Sequence, residues 1–274
     1  MTRLLSLIGA AVLVCGTSAF AQEHDAPAPR LQSWSFAGVF GTYDRNQLQR
    51  GFQVFSQVCS SCHSADLLAF RNLSEEGGPA YSEEQVKLLA AEYIIVDPQD
   101  PLNERPGVAA DHWPNPWPSP ADARGANNGA IPPDFSVIAK ARGLPMAFPW
   151  WIFNYFTAYQ EGGPDYIYNL LTGYHEEPPE GFELGAGQYY NDYFPGHALS
   201  MAPPLFEGAV NYEGEATPQT VDQYARDVSA FLMWVAEPHL VERKALGFRV
   251  IIFLAIFALL MYLTYKKVWS GVKH

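Results

Sequence analysis

The 274-residue sequence predicts a mainly α domain with long irregular loops, exported from the cytoplasm and held by one C-terminal transmembrane helix. Three observations predict it. Apolar residues recur at helical spacing in short patches divided by Pro- and Gly-rich stretches, with few strand signals. Met1-Thr2-Arg3, an apolar core over residues 4–14 and Ala19-Phe20-Ala21 give the basic start, hydrophobic region and small-x-small cleavage site of a secretory signal. Near the other end, residues 250–265 carry no charge.

The signal, residues 1–21, is expected to be removed before Gln22, and its apolar run is too short to span a bilayer. Cys15 leaves with it, so the mature chain keeps Cys59 and Cys62. The exported domain then covers residues 22–241, about 220 residues and enough for one real core. An anchor helix follows over 242–269 and a tail over 270–274. Residues 250–265 make about 24 Å of helix against a hydrocarbon core of about 30 Å. Residues 245–248 and Val268-Trp269 extend that length, while Arg249 and Lys266 can reach the headgroups. Lys266, Lys267 and Lys273 favour a cytoplasmic tail; Arg243, Lys244 and Arg249 weaken that asymmetry, and the signal sets the orientation.

Within the domain, Asp44 caps a helix whose apolar face carries Leu48, Phe52, Phe55 and Val58. Ser82 with Gln85 forms a capping box before Val86, Leu88, Leu89 and Tyr93. Residues 97–133 are irregular and proline-rich, including Trp113-Pro114-Asn115-Pro116-Trp117-Pro118, and a segment of that length needs something to fix it. Pro133-Asp134 is expected to start a helix ending near Arg142-Gly143. Residues 149–160 can be helical, residues 166–171 form a short helix ended by Gly173, and Thr217-Pro218 opens a last helix reaching Pro238.

Cys59-Ser60-Ser61-Cys62-His63 carries the chemistry. Two thiols three positions apart can form thioethers to both vinyl groups of one haem, and the next histidine is delivered to the iron. A zinc site needs two more Cys or His ligands at comparable spacing, and no second pair follows. A thioredoxin-like dithiol needs a βαβ context that does not precede Cys59. One covalently bound haem c, with His63 as one axial ligand, is therefore expected.

The other axial ligand decides the chemistry. Methionine gives a closed, relatively high-potential carrier, histidine a lower potential, and an open position ligand binding or catalysis. The candidates are Met146, Met201, Met233, His112, His175, His197 and His239. Met233 lies on the apolar part of a helix and reads as core. Met201, in Ser200-Met201-Ala202-Pro203-Pro204-Leu205, and Met146, in Leu144-Pro145-Met146-Ala147-Phe148-Pro149, both sit in proline-stiffened loops, and spacing leaves both open.

Charge adds a further signal. The chain holds 17 Lys+Arg and 29 Asp+Glu; without the signal and the segment from Val241 onward, 10 basic residues face 28 acidic ones. No Lys or Arg occurs between Arg142 and Arg226, a stretch with Glu161, Asp165, Glu176, Glu177, Glu180, Glu183, Asp192, Glu207, Glu213, Glu215 and Asp222. The stretch reads either as a solvated acidic surface or as a docking field for a basic partner. The sign of the charge excludes nucleic acid.

Several segments resemble one family: residues 59–63, Asn127-Asn128-Gly129-Ala130-Ile131-Pro132-Pro133-Asp134, Ala141-Arg142, Gly162-Gly163-Pro164-Asp165-Tyr166, Leu171-Thr172-Gly173-Tyr174, Met201-Ala202-Pro203-Pro204-Leu205 and Phe231-Leu232-Met233-Trp234-Val235-Ala236-Glu237-Pro238. The chain is similar here to cytochrome c1, the haem subunit of the bc1 complex, over nearly the whole mature sequence. The resemblance implies a class I cytochrome c-like domain with Met201 as sixth ligand. It also implies Arg142 near a haem propionate, and Pro133 and Tyr166 against the haem. Met146 falls in a 143–161 segment longer than in mitochondrial members and loses as ligand. The implied role is electron transfer from the Rieske iron–sulfur protein to a basic cytochrome c, beside cytochrome b in the bacterial inner membrane, with no bond chemistry of its own. A free-standing tethered shuttle and an open-site haem enzyme are the alternatives.

Overall fold

A computed structural model describes residues 26–144, 149, 153–154, 162–212 and 217–271. The signal, Met146, most of the 143–161 segment and the end of the tail lie outside them, as does the helix expected over 149–160 except at Pro149, Phe153 and Asn154.

Helix α1 spans Arg45–Gln57, and the Asp44 carboxylate accepts from the Gln47 N–H at 2.8 Å, as the sequence predicts. It runs directly into a 3-10 turn over Cys59–Ser61. Helix α2, Glu83–Ala91, starts at the Ser82/Gln85 capping box. An antiparallel hairpin pairs β1 (Ile94–Val96), just before the irregular stretch, with β2 (Glu104–Pro106) inside it, and the short helix α3 (Pro120–Ala126) follows. The tryptophans of the irregular stretch hold it. Trp113 is buried among Phe52, Phe55, Phe70 and Tyr93. The Trp117 Nε1–H donates to the Cys62 carbonyl at 2.7 Å.

The helix expected from Pro133 is only α4, Ile138–Ala141. The residues before it are captured from elsewhere. The Asp134 carboxylate accepts from the Ser64 hydroxyl and the Asp66 N–H, and the Phe135 N–H donates to the Ser64 carbonyl. Helix α5, Gly163–Thr172, contains the expected 166–171 helix and ends at Gly173. A second hairpin pairs β3 (Tyr189–Tyr190) with β4 (Ala198–Leu199). Helix α6, Val221–Ala236, begins three residues beyond Pro218, because Thr220 caps the Gln223 N–H.

The core is the α1–α6 contact. An added Cβ at Gly51 would lie 2.1 Å from the Asp227 carbonyl oxygen, so only glycine permits this approach. Beside it the fully buried Asp227 carboxylate is met by Arg50 (Nε at 2.8 Å), the Tyr212 hydroxyl at 3.1 Å and Gln223 at 2.9 Å. Phe52, Phe55 and Phe231 fill the seam.

Helix α7, Leu240–Trp269, is long and apolar enough to cross a membrane, and its apolar run is exposed. It begins two residues before the boundary expected at 242, and its first turns belong to the domain. Leu240 is buried, Arg243 pairs with Glu237, and Lys244 donates to the Phe36 and Gly38 carbonyls at 2.6 and 2.7 Å.

Candidate functional site

Cys59 and Cys62 stand on the 3-10 turn that α1 delivers, half-buried and free of disulfide bonding. Burial, with a smaller contribution from Cys62, pushes the Cys59 thiol up to about 12. No group of three or more His, Cys, Asp or Glu able to hold a metal ion occurs among the described residues.

His63 is the buried histidine among the described residues. Its Nδ1 lies 2.9 Å from the Pro133 carbonyl oxygen. A carbonyl only accepts, so Nδ1 carries the proton and Nε2 keeps its lone pair. Burial lowers the imidazole pKa, against opposing effects of Pro133 and Asp134, which favours the neutral ligand form. Phe135 stacks on the ring with centroids 4.0 Å apart. Tautomer and ring plane are thus fixed by the fold, the outer-shell arrangement a metal-binding imidazole requires. The donor set fits a haem held by two thioethers and one histidine.

A second group gathers at α5. An added Cβ at Gly163 would lie 1.6 Å from the Ala139 carbonyl oxygen, so α5 begins in direct backbone contact with α4. Arg142 ends α4 and is exposed; Tyr166 is buried one turn into α5. Burial raises the Tyr166 phenol, and the nearby Arg142 charge opposes that rise. Tyr174 is raised by burial and by Tyr166, and its hydroxyl donates to the Met201 carbonyl at 3.1 Å. Arg142, Tyr166, Tyr174 and half-buried Met201 thus form one connected set, while Cys59, Cys62, His63 and Pro133 form another. Met233 is core, as the sequence predicts. His112, His175, His197 and His239 each pair with a polypeptide oxygen.

Phe135, Trp117 and Tyr174 were not singled out by sequence. Trp117 stood in the proline-rich stretch and Tyr174 in a family-like segment, but nothing in the sequence tied either to its partner.

The acidic stretch is only partly a surface. Asp165 is fully buried and accepts from the Gln32 N–H at 2.8 Å and Trp34 Nε1–H at 2.9 Å. Asp192 pairs with His175, and Asp222 accepts from the Tyr168 hydroxyl. Glu176, Glu177, Glu180 and Glu183 are exposed on the loop between α5 and β3, while Glu161, Glu213 and Glu215 lie outside the described residues.

Comparison with known proteins gives the family. The Cytochrome C1 family matches residues 34–272. The chain is 47% identical to "Cytochrome c1" of Blastochloris viridis over 281 residues, covering 100% of this chain and 99% of that protein. It is 42% identical to "Cytochrome c1" of Rhodospirillum rubrum, covering 96% and 95%. It is 51% identical to "Cytochrome b/c1" of Bradyrhizobium diazoefficiens, spanning 97% of this chain but 39% of that longer protein. The chain belongs to the cytochrome c1 family, whose members carry a covalently bound haem c and serve as electron-transfer subunits of bc1 complexes.

Proposed function

We propose that the domain relays single electrons from a Rieske iron–sulfur protein to a cytochrome c, with Cys59 and Cys62 holding the haem and His63 and Met201 on its iron. The 2.9 Å bond from His63 Nδ1 to the Pro133 carbonyl carries the proposal, because it aims a neutral Nε2 beside two free thiols. The bound haem supplies one reversible electron; the protein's residues set where and at what potential. The Pro133 bond raises the donor strength of His63. The Tyr174 bond and Pro203-Pro204 steady Met201, whose thioether as an iron ligand would favour the reduced state. Arg142 offsets the charge of a propionate, with buried Tyr166 beside it. No side chain is assigned to making or breaking a substrate bond.

In this reading α7 is the anchor, with the domain in the periplasm, the C-terminus in the cytoplasm, and cytochrome b beside the span. The exposed Glu176, Glu177, Glu180 and Glu183 steer a basic cytochrome c. Blue-native separation of solubilised membranes with haem staining tests the assembly: the haem should migrate with a Rieske protein and a cytochrome b. A haem band migrating alone would replace the relay with a free-standing shuttle.

A further inference from the structure

At the foot of α7 lies a cleft of about 280 Å³ between the helix and the 39–41 loop. Val241, Ala245 and Arg249 follow one another at four-residue spacing, so they share one face of α7 with Lys244 and Phe248 alongside. Phe40, itself 80% exposed, forms the opposite wall and meets Phe248 edge-on at 5.7 Å. Lys244 fastens that wall by donating to the Phe36 and Gly38 carbonyls.

Its charge is opposite to that of the domain above. No acidic side chain lines the cleft among the described residues. Of the acidic residues around the start of α7, Glu237 is engaged with Lys140 and Arg243, and Glu242 with His239. Arg249 is exposed, makes no hydrogen bond or ion pair among the described residues, and directly precedes the uncharged run from Val250. An apolar floor with a cation at its rim, set where an apolar helix begins, matches one class of ligand: a diacyl lipid with an anionic phosphate.

We infer that this cleft binds one anionic phospholipid, its acyl chain on Phe40, Val241, Ala245 and Phe248 and its phosphate on Arg249, assisted by Lys244. The inference rests on the reading of α7 as a membrane span. A polypeptide occupant would have to bring an acidic side chain to this depth, whereas lipid phosphate is present all around the helix at that level. The bound lipid would fill the gap between the helix and the 39–41 loop and stiffen the joint between anchor and haem domain.

Two measurements on the full-length protein test this. In nanodiscs of phosphatidylcholine with a minority of spin-labelled phosphatidylglycerol, the wild type should immobilise phosphatidylglycerol in preference to labelled phosphatidylcholine. Arg249→Gln should cut that preference about tenfold, the loss of one charge-assisted contact, with the haem spectrum unchanged. Equal preference in both proteins overturns the site. Independently, Phe40 replaced by benzoylphenylalanine and irradiated in membranes should yield a phospholipid adduct by mass; a peptide adduct overturns it, even if Arg249→Gln fails to assemble. Release of the wild-type chain by alkaline carbonate would refute the span itself, a failure distinct from loss of lipid preference in a chain that stays embedded.

Discussion

A thioether is a weak iron ligand, so the residues that hold it matter as much as the sulfur. Met201 is fixed at its carbonyl by the Tyr174 hydroxyl, 27 residues away, and followed closely by two prolines. Met201→Leu should abolish the methionine-to-ferric-iron charge-transfer band and lower the potential on the order of 0.1 V, within the roughly 0.8 V that axial ligands command. Met146→Leu should leave both unchanged; the reverse result in a redox titration would move the ligand to Met146. The Cys59-to-His63 unit was legible in the sequence because its chemistry is local. Tyr174, Trp117 and Phe135 were not, because their contacts join distant positions: Trp117 reaches Cys62 across 55 residues.

Among the elements, helix starts were legible where a side chain caps its own helix, as at Asp44 and Ser82. The signal failed at Pro133-Asp134, where the carboxylate that should cap a helix instead binds Ser64 and Asp66. No local rule anticipates such a partner. The α1–α6 pair shows the same limit, since nothing near Arg50 in sequence points to Asp227, 177 residues away. The Arg50 side chain is 17% exposed and that of Asp227 0%. Arg50→Ala would leave a buried carboxylate without its cation and should cost about 3–5 kcal/mol. Denaturant unfolding, followed by the far-ultraviolet helix signal, measures the loss; a change below about 1 kcal/mol would mean that Tyr212 and Gln223 suffice to hold Asp227.

For the whole molecule, domain and anchor share a boundary that the sequence did not resolve. An apolar run marks a span, but not the point at which its helix leaves the domain. Leu240, Arg243 and Lys244 contact the domain, so a chain ending after Arg249 should be soluble and retain them, whereas one ending after Pro238 should unfold at lower temperature with a similar haem spectrum. Equal melting temperatures would make those contacts energetically idle. Association should also register the exposed carboxylates. Electron transfer to a basic cytochrome c should slow as salt shortens the Debye length from about 10 Å at 0.1 M to about 3 Å at 1 M. Glu176→Gln with Glu177→Gln should flatten that dependence in stopped-flow traces, and a salt-independent wild-type rate would leave these glutamates to solvation alone.

The bond between His63 and the Pro133 carbonyl, spanning 70 residues, has a consequence for biogenesis. The five-residue attachment motif is complete early in the chain, whereas the ring is locked only after the chain returns through Pro133 and Phe135. Closing so long a loop carries an entropic cost that a bound macrocycle, with its large apolar faces, can offset. Thioether formation is thus expected on the open chain, with maturation ordered as attachment first and closure second. A chain that closed early would hold its thiols half-buried and harder for any attachment machinery to reach.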